Sequence, residues 1–186
     1  MLLREQLLDG EVIAVAGDVL GLVHDELVGL GAQVHELDRG LDDERAERWA
    51  SGLAPGLGAL VFDAGAAFGG GGAAALSQAL EDAWVAVRAV AVGALIPGEA
   101  AGKVVLIGPR PEAGPCARAA RAALENLART LSIEWARYAI TVTAVLPGVH
   151  TGDEQLATLI AFLASPAGNY FSGCRFELGA IRVQPD

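Results

Sequence analysis

Few residues in this 186-residue chain have the types and spacing that chemistry needs. His24, His35 and His150 are scattered, with no helical or strand spacing that would aim two imidazoles at one ion, so no metal site is expected. Ser132 and His150 make a nominal hydrolase pair, but the chain has no GxSxG elbow to present a serine at a strand-to-helix turn. Ser132 is therefore expected along a packed helix. The run Gly69 to Gly72 offers backbone N–H groups to a phosphate, yet no Lys-Ser/Thr pair or strand-to-helix fingerprint accompanies it, and it reads as a flexible loop. Cys116 and Cys174 lack metal-ligand spacing and, without a secretory signal, are expected to sit reduced in a cytoplasmic core.

The bulk of the sequence bounds the partners. A composition 53% hydrophobic and 19% charged excludes a disordered chain and suits strands covered on both faces. The net charge of -10, with no basic patch, disfavours nucleic acid and anionic lipid. The stretch from Met1 to Gly10 carries Arg4, Glu5 and Asp9, too much charge in too short a run for a signal peptide or a membrane span. A cytoplasmic protein of one domain, residues 1–186, is the expectation.

These residues must be positioned by elements that the apolar pattern lays out. Glu11 to Gly17 reads as a buried strand, Val19 to Leu30 as a helix capped by Asp18 and ended by Gly31, and Ala32 to Asp38 as a second strand. An exposed helix is expected over 41–49, a strand over 59–65, a long Ala-rich helix over 73–95 and a strand over 103–108. A second Ala-rich helix over 115–138, a strand over 140–145, a helix over 153–164 and a last strand over 175–181 complete the chain. Alternation of this kind predicts an α/β fold: a Rossmann-like, doubly wound parallel sheet of about six strands with helices on both faces. Ligands on such a sheet sit at the carboxyl ends of the strands, here by Gly17, Gly65, Gly108 and Pro147.

Read in order, LLDGEVIAVAGDVLG, ALVFDAG, GKVVLIG, ARAARAALENLARTLSIEWARYAITVTAVLPG and FLASPAGNYFSGCRFELG resemble the short-chain dehydrogenase/reductase family. The likeness is to the bacterial 3-oxoacyl carrier-protein reductase branch in particular, and Ala123 to Gly148 is its most specific stretch. The resemblance implies NAD(P) chemistry, and the departures from the family pattern fall on the residues that chemistry uses. In the family's TGxxxGxG phosphate loop this chain keeps Gly17 and Gly21, but Val23 stands for the last glycine, Val19 and Leu20 are bulky, and Asp18 adds a negative charge. The family's NNAG has become Phe62, Asp63, Ala64 and Gly65, and Asp38 matches the acid that would hold the ribose. The Tyr and Lys positions fall at Ala117 and Arg121, the Ser at Gly108 or Pro109, and the Asn near Ala91. Alanine has no proton to give, and arginine stays charged. Thr151 stands one place too near the Pro-Gly for the family's nicotinamide contact.

One edge strand and the substrate lid are also expected to be trimmed, since the chain between Asp38 and Ala59, and the stretch VHTGDEQ after Gly148, are short. No catalytic residue and no cofactor are expected, and Gly17, Gly21, Asp38, Gly65 and Thr151 are read as vestiges of a NAD(P) site. The resemblance further implies that helices 73–95 and 117–138 and the C-terminal strand pair with another subunit. The leading expectation is a non-catalytic subunit that assembles with an active dehydrogenase or with itself. The alternatives are an NAD(P)H-dependent reductase with an unusual proton donor, and a small-ligand or sensory domain with an apolar pocket lined by Leu20, Phe62 and Pro109.

Overall fold

The computed structural model describes residues 4–17, 21–68, 71–98 and 100–179. In chain order they form β1 (Val12–Gly17), α1 (Gly21–Gly29), β2 (Gln33–Leu37), α2 (Asp43–Ser51), β3 (Leu57–Asp63), α3 (Ala64–Phe68) and α4 (Ala73–Val90). Then come β4 (Lys103–Ile107), α5 (Ala117–Glu134), β5 (Thr141–Leu146), α6 (Asp153–Ala164) and β6 (Arg175–Glu177). The six strands pair in the order β2-β1-β3-β4-β5-β6, every pair parallel. The chain leaves β1 in one direction to make β2 and returns on the other side to make β3, so the reversal in strand order lies between β1 and β3. β2 is the outer strand on its side among the described residues, as the short link between Asp38 and Ala59 requires.

Alternate residues of each strand face opposite layers, as the two-residue period of a strand dictates. Ala14, Ala16, Leu60, Phe62, Leu106 and Ala144 pack under α2, α4 and α5. Ile13, Val15, Val61, Val105, Ile107 and Val145 pack under α1 and α6. Lys103, the only lysine in the chain, opens β4 between Ala59 and Thr141 and is 4% exposed. Burial pushes its ammonium below the usual lysine range, and Glu11 partly opposes that shift.

Several boundaries differ from the expectation, each for a local reason. The strand expected over 59–65 ends at Asp63, because the Asp63 carboxylate accepts the Gly65 N–H at 2.8 Å and turns the chain into α3. The helix expected over 73–95 is α-helical only to Val90 and continues as a π-helical segment, Ala91–Leu95. There the backbone presses on α2: a Cβ on Gly93 would stand 2.8 Å from the Glu47 carbonyl oxygen. The second Ala-rich helix ends at Glu134, followed by a 3-10 turn over Ala136–Tyr138 and a left-handed Ala139. The strand expected over 175–181 is three residues long, and Leu178 and Gly179 already turn away. The expected helix start at Val19 with its Asp18 cap, the Leu20 bulk, half of the Gly69 to Gly72 loop and Ile181 lie outside the described residues.

Candidate functional site

At the reversal point the two backbones touch. Gly17 has φ of 80°, and a Cβ there would lie 2.4 Å from the Asp63 carbonyl oxygen, so glycine is required by both conformation and approach. Gly65 sits in the first turn of α3, where a Cβ would be 3.0 Å from Asp63 Oδ1 and 3.4 Å from both the Gly108 carbonyl oxygen and Pro109 Cα. The ends of β1, β3 and β4 are thus closed on one another. Gly21 opens α1 with nothing within 4 Å of its would-be Cβ. Val23 is fully buried among Ile13, Leu27 and Ile160 and serves as core.

Asp38 follows β2 and is exposed. It rims a cavity of about 30 Å³ whose apolar wall includes Leu37, Leu41, Phe62 and Val85. That volume holds about a water molecule or two. Alongside lies an open groove of about 700 Å³ walled by Asp42, Asp43, Glu44, Glu81 and Asp82. Its charge is repulsive to phosphate.

Two arginines fasten the loops at the ends of β4 and β5. Arg121, in the second turn of α5, has a side chain only 10% exposed. Its Nη1 donates to the carbonyl oxygens of Pro109 at 2.9 Å and Pro147 at 2.7 Å, and its Nη2 stands 3.5 Å from Glu177 Oε1 on β6. Burial pushes the guanidinium down from the usual arginine value, and Glu177 opposes that shift. Arg110 donates through Nη1 to the carbonyls of Gly148 at 3.0 Å and Thr151 at 2.8 Å, and through Nη2 to Asp153 Oδ1 at 2.6 Å. Thr151 is occupied too: its hydroxyl accepts the Gly148 N–H at 2.8 Å and closes the turn after β5. What remains is a cleft of about 260 Å³ lined by Asp63, Ile107, Arg110, Ala113, Pro147 and Leu156 among others.

The positions that the resemblance assigns to catalytic side chains lie as follows. Ala117 is buried against Phe68, Ala79 and Ala120 at the start of α5. A Cβ on Gly108 would stand 2.7 Å from Leu146 Cδ2, so a serine there would require the Leu146 side chain to shift. Ala91 opens the π-helical segment packed on the later turns of α2, toward the amino ends of the strands and away from the crevice. Ser132 donates to the Arg129 carbonyl in the last turns of α5 beside Gly173, at the opposite end of the sheet from His150 in the loop after β5. Phe62 lines the small cavity by Asp38, and Leu20, the third wall of the pocket expected with Phe62 and Pro109, lies outside the described residues. The roles of Arg110 at Gly148 and of Glu177 at Arg121 were not legible in the sequence, because these partners lie 38 or more residues apart along the chain.

No protein-family model matches the chain, and no curated protein matches it by sequence. Solved structures do. The citronellol catabolism dehydrogenase AtuB of Pseudomonas aeruginosa is similar at 22% identity over 96% of this chain and 98% of that one, with a TM-score of 0.76. A Burkholderia xenovorans protein assigned as a short-chain dehydrogenase/reductase is similar at 20% identity over 97% and 99%, with a TM-score of 0.77. A short-chain dehydrogenase/reductase variant of Serratia marcescens is similar at 23% identity over 92% and 97%, with a TM-score of 0.71. The chain therefore has the fold of the short-chain dehydrogenase/reductases, an α/β fold with a Rossmann-like parallel sheet. Among the described residues no helix is long and apolar enough to cross a membrane.

Proposed function

We propose that this protein is a degenerate member of the short-chain dehydrogenase/reductase family that works as a non-catalytic subunit, assembling with itself or with an active dehydrogenase. The observation that carries the loss of catalysis is Arg121: the cation in the lysine position is bound to two loop carbonyls of its own chain. It cannot orient a ribose or pass a proton while so engaged. The residues that would meet the nicotinamide end of NAD(P) are spent, Arg121 on two loop carbonyls and Thr151 on its own turn, while Gly17 and Asp38 still line an open cavity of about 310 Å³. Calorimetric titration with NADH and NADPH is expected to give no saturable heat, and micromolar binding of either would overturn this reading.

Support for the subunit role comes from surfaces. Trp84 on α4 is 40% exposed and Ile133 on α5 is 77% exposed, and along α5 the exposed row Ala119, Ala122, Asn126, Thr130 carries no charge. The β6 edge favours a second copy. Cys174 O and Leu178 N bond inward to β5, so the backbone groups of Arg175 and Glu177 point outward, where no strand pairs with them among the described residues. An antiparallel copy centred on Phe176 would put Arg175 opposite Glu177 twice, with backbone hydrogen bonds at both pairs. Sedimentation velocity tests this. Arg175→Glu and Glu177→Arg are each expected to be monomeric alone and to form a dimer when mixed, because the mixture restores both opposite-charge pairs. A wild-type chain that stays monomeric, with or without a related dehydrogenase present, would overturn the subunit role.

A further inference from the structure

Arg121 reaches both the crevice loops and the outer strand. One end of its guanidinium holds the Pro109 and Pro147 carbonyls at the crevice, and the other faces Glu177 on the outer strand. Glu177 in turn stands 3.4 Å from Arg175, and Arg175 bonds Glu125 at 2.9 Å, so charge alternates from the crevice to the edge of the sheet. A guanidinium this buried needs its acceptors, because an uncompensated charge in a low dielectric is costly.

We infer that Glu177 and Arg121 form a strap through which pairing at the β6 edge loosens the crevice loops. The pulling partner rests on the assembly reading above; the strap itself does not. When an incoming cation opposite Glu177 draws its carboxylate outward, Arg121 loses the carboxylate that faces it from β6. The head group then gains more from moving toward solvent than from two carbonyls alone, and of the two arginines that tie the loops after β4 and β5 only Arg110 still does so. The strap is a local two-state element, and it converts contact at an edge into mobility about one strand away.

Site-resolved hydrogen exchange reads the effect, since the Gly108 amide donates to the Val145 carbonyl of β5 and the Gly148 and Thr151 amides are bonded within the loop after β5. Glu177→Gln is expected to speed their exchange on the order of tenfold while α1 and β1 amides stay unchanged. In an Arg121→Met background the same substitution is expected to add nothing, because it acts through the guanidinium. Unchanged loop amides in Glu177→Gln, or an equal acceleration in the Arg121→Met background, would overturn the strap. In the wild-type chain the loop amides are expected to exchange faster as protein concentration drives dimer formation. A dimer with unaffected loop amides would overturn the coupling, whereas an absent dimer with a responsive Glu177→Gln would overturn only the assembly reading.

Discussion

At Gly17 the left-handed backbone and the 2.4 Å approach to Asp63 act on the same residue, so Gly17→Ala cannot relax by turning either one alone. A loss of at least about 2 kcal/mol is expected, read as a lower urea midpoint. Ala117 has the opposite problem. Restoring a phenol and an ammonium with Ala117→Tyr and Arg121→Lys overpacks the contact with Phe68 and Ala79 and costs about 1–3 kcal/mol. It also leaves the Gly65–Pro109 contact in place, so the double variant is expected to show no NADPH consumption with ketone substrates. Lys103 supplies a pH dependence. Its pKa in the folded chain lies below the unfolded value of 10.5, so the unfolded chain binds more protons between the two. The burden of a buried ammonium is full below the folded pKa and lifts as pH rises toward 10.5. The stability advantage of Lys103→Met over wild type is accordingly expected to shrink across that alkaline window, as followed by chemical denaturation. The sequence made the departures from the family pattern legible, because an alanine at position 117 is visible in one letter. It did not reveal what the residues there touch, since Arg121 meets Pro147 and Glu177 only once α5 lies beside β5 and β6.

Elements were legible where their periods were clean. β1, β3, β4 and β5 are apolar runs bounded by turn residues, and their central residues fall where the pattern puts them. The failures mark places where another element overrides local preference. Nothing in the run Ala-Val-Gly-Ala-Leu announces a π-helical segment; it arises because Gly93 lets α4 settle onto the Glu47 carbonyl and Ala50 of α2. Gly93→Ala is expected to push these helices apart and cost about 1–3 kcal/mol, measurable as a drop in Tm. β6 stops after three residues because the chain must turn at Leu178, whose carbonyl lies where a Cβ on Gly148 would be. The short edge leaves two outward residues, Arg175 and Glu177, for the pairing proposed above.

For the whole molecule, a net charge of -10 makes any self-association work against overall repulsion. Cross-strand pairs between Arg175 and Glu177 at an open edge are short-range and solvent-exposed, so added salt screens both the repulsion and the pairs. The apolar contacts of α4 and α5 are not screened. If both surfaces are used, raising salt from about 0.05 to 0.5 M is expected to weaken the Arg175-dependent association while sparing the helical one, which sedimentation at both salts separates. The burial of Lys103 has one more consequence at this scale. With a single lysine in the sequence, and that one inside, the folded chain presents no lysine to an amine-directed reagent at its surface. Acylation of the Lys103-containing peptide would therefore count molecules that have opened across the sheet, one covalent mark per event.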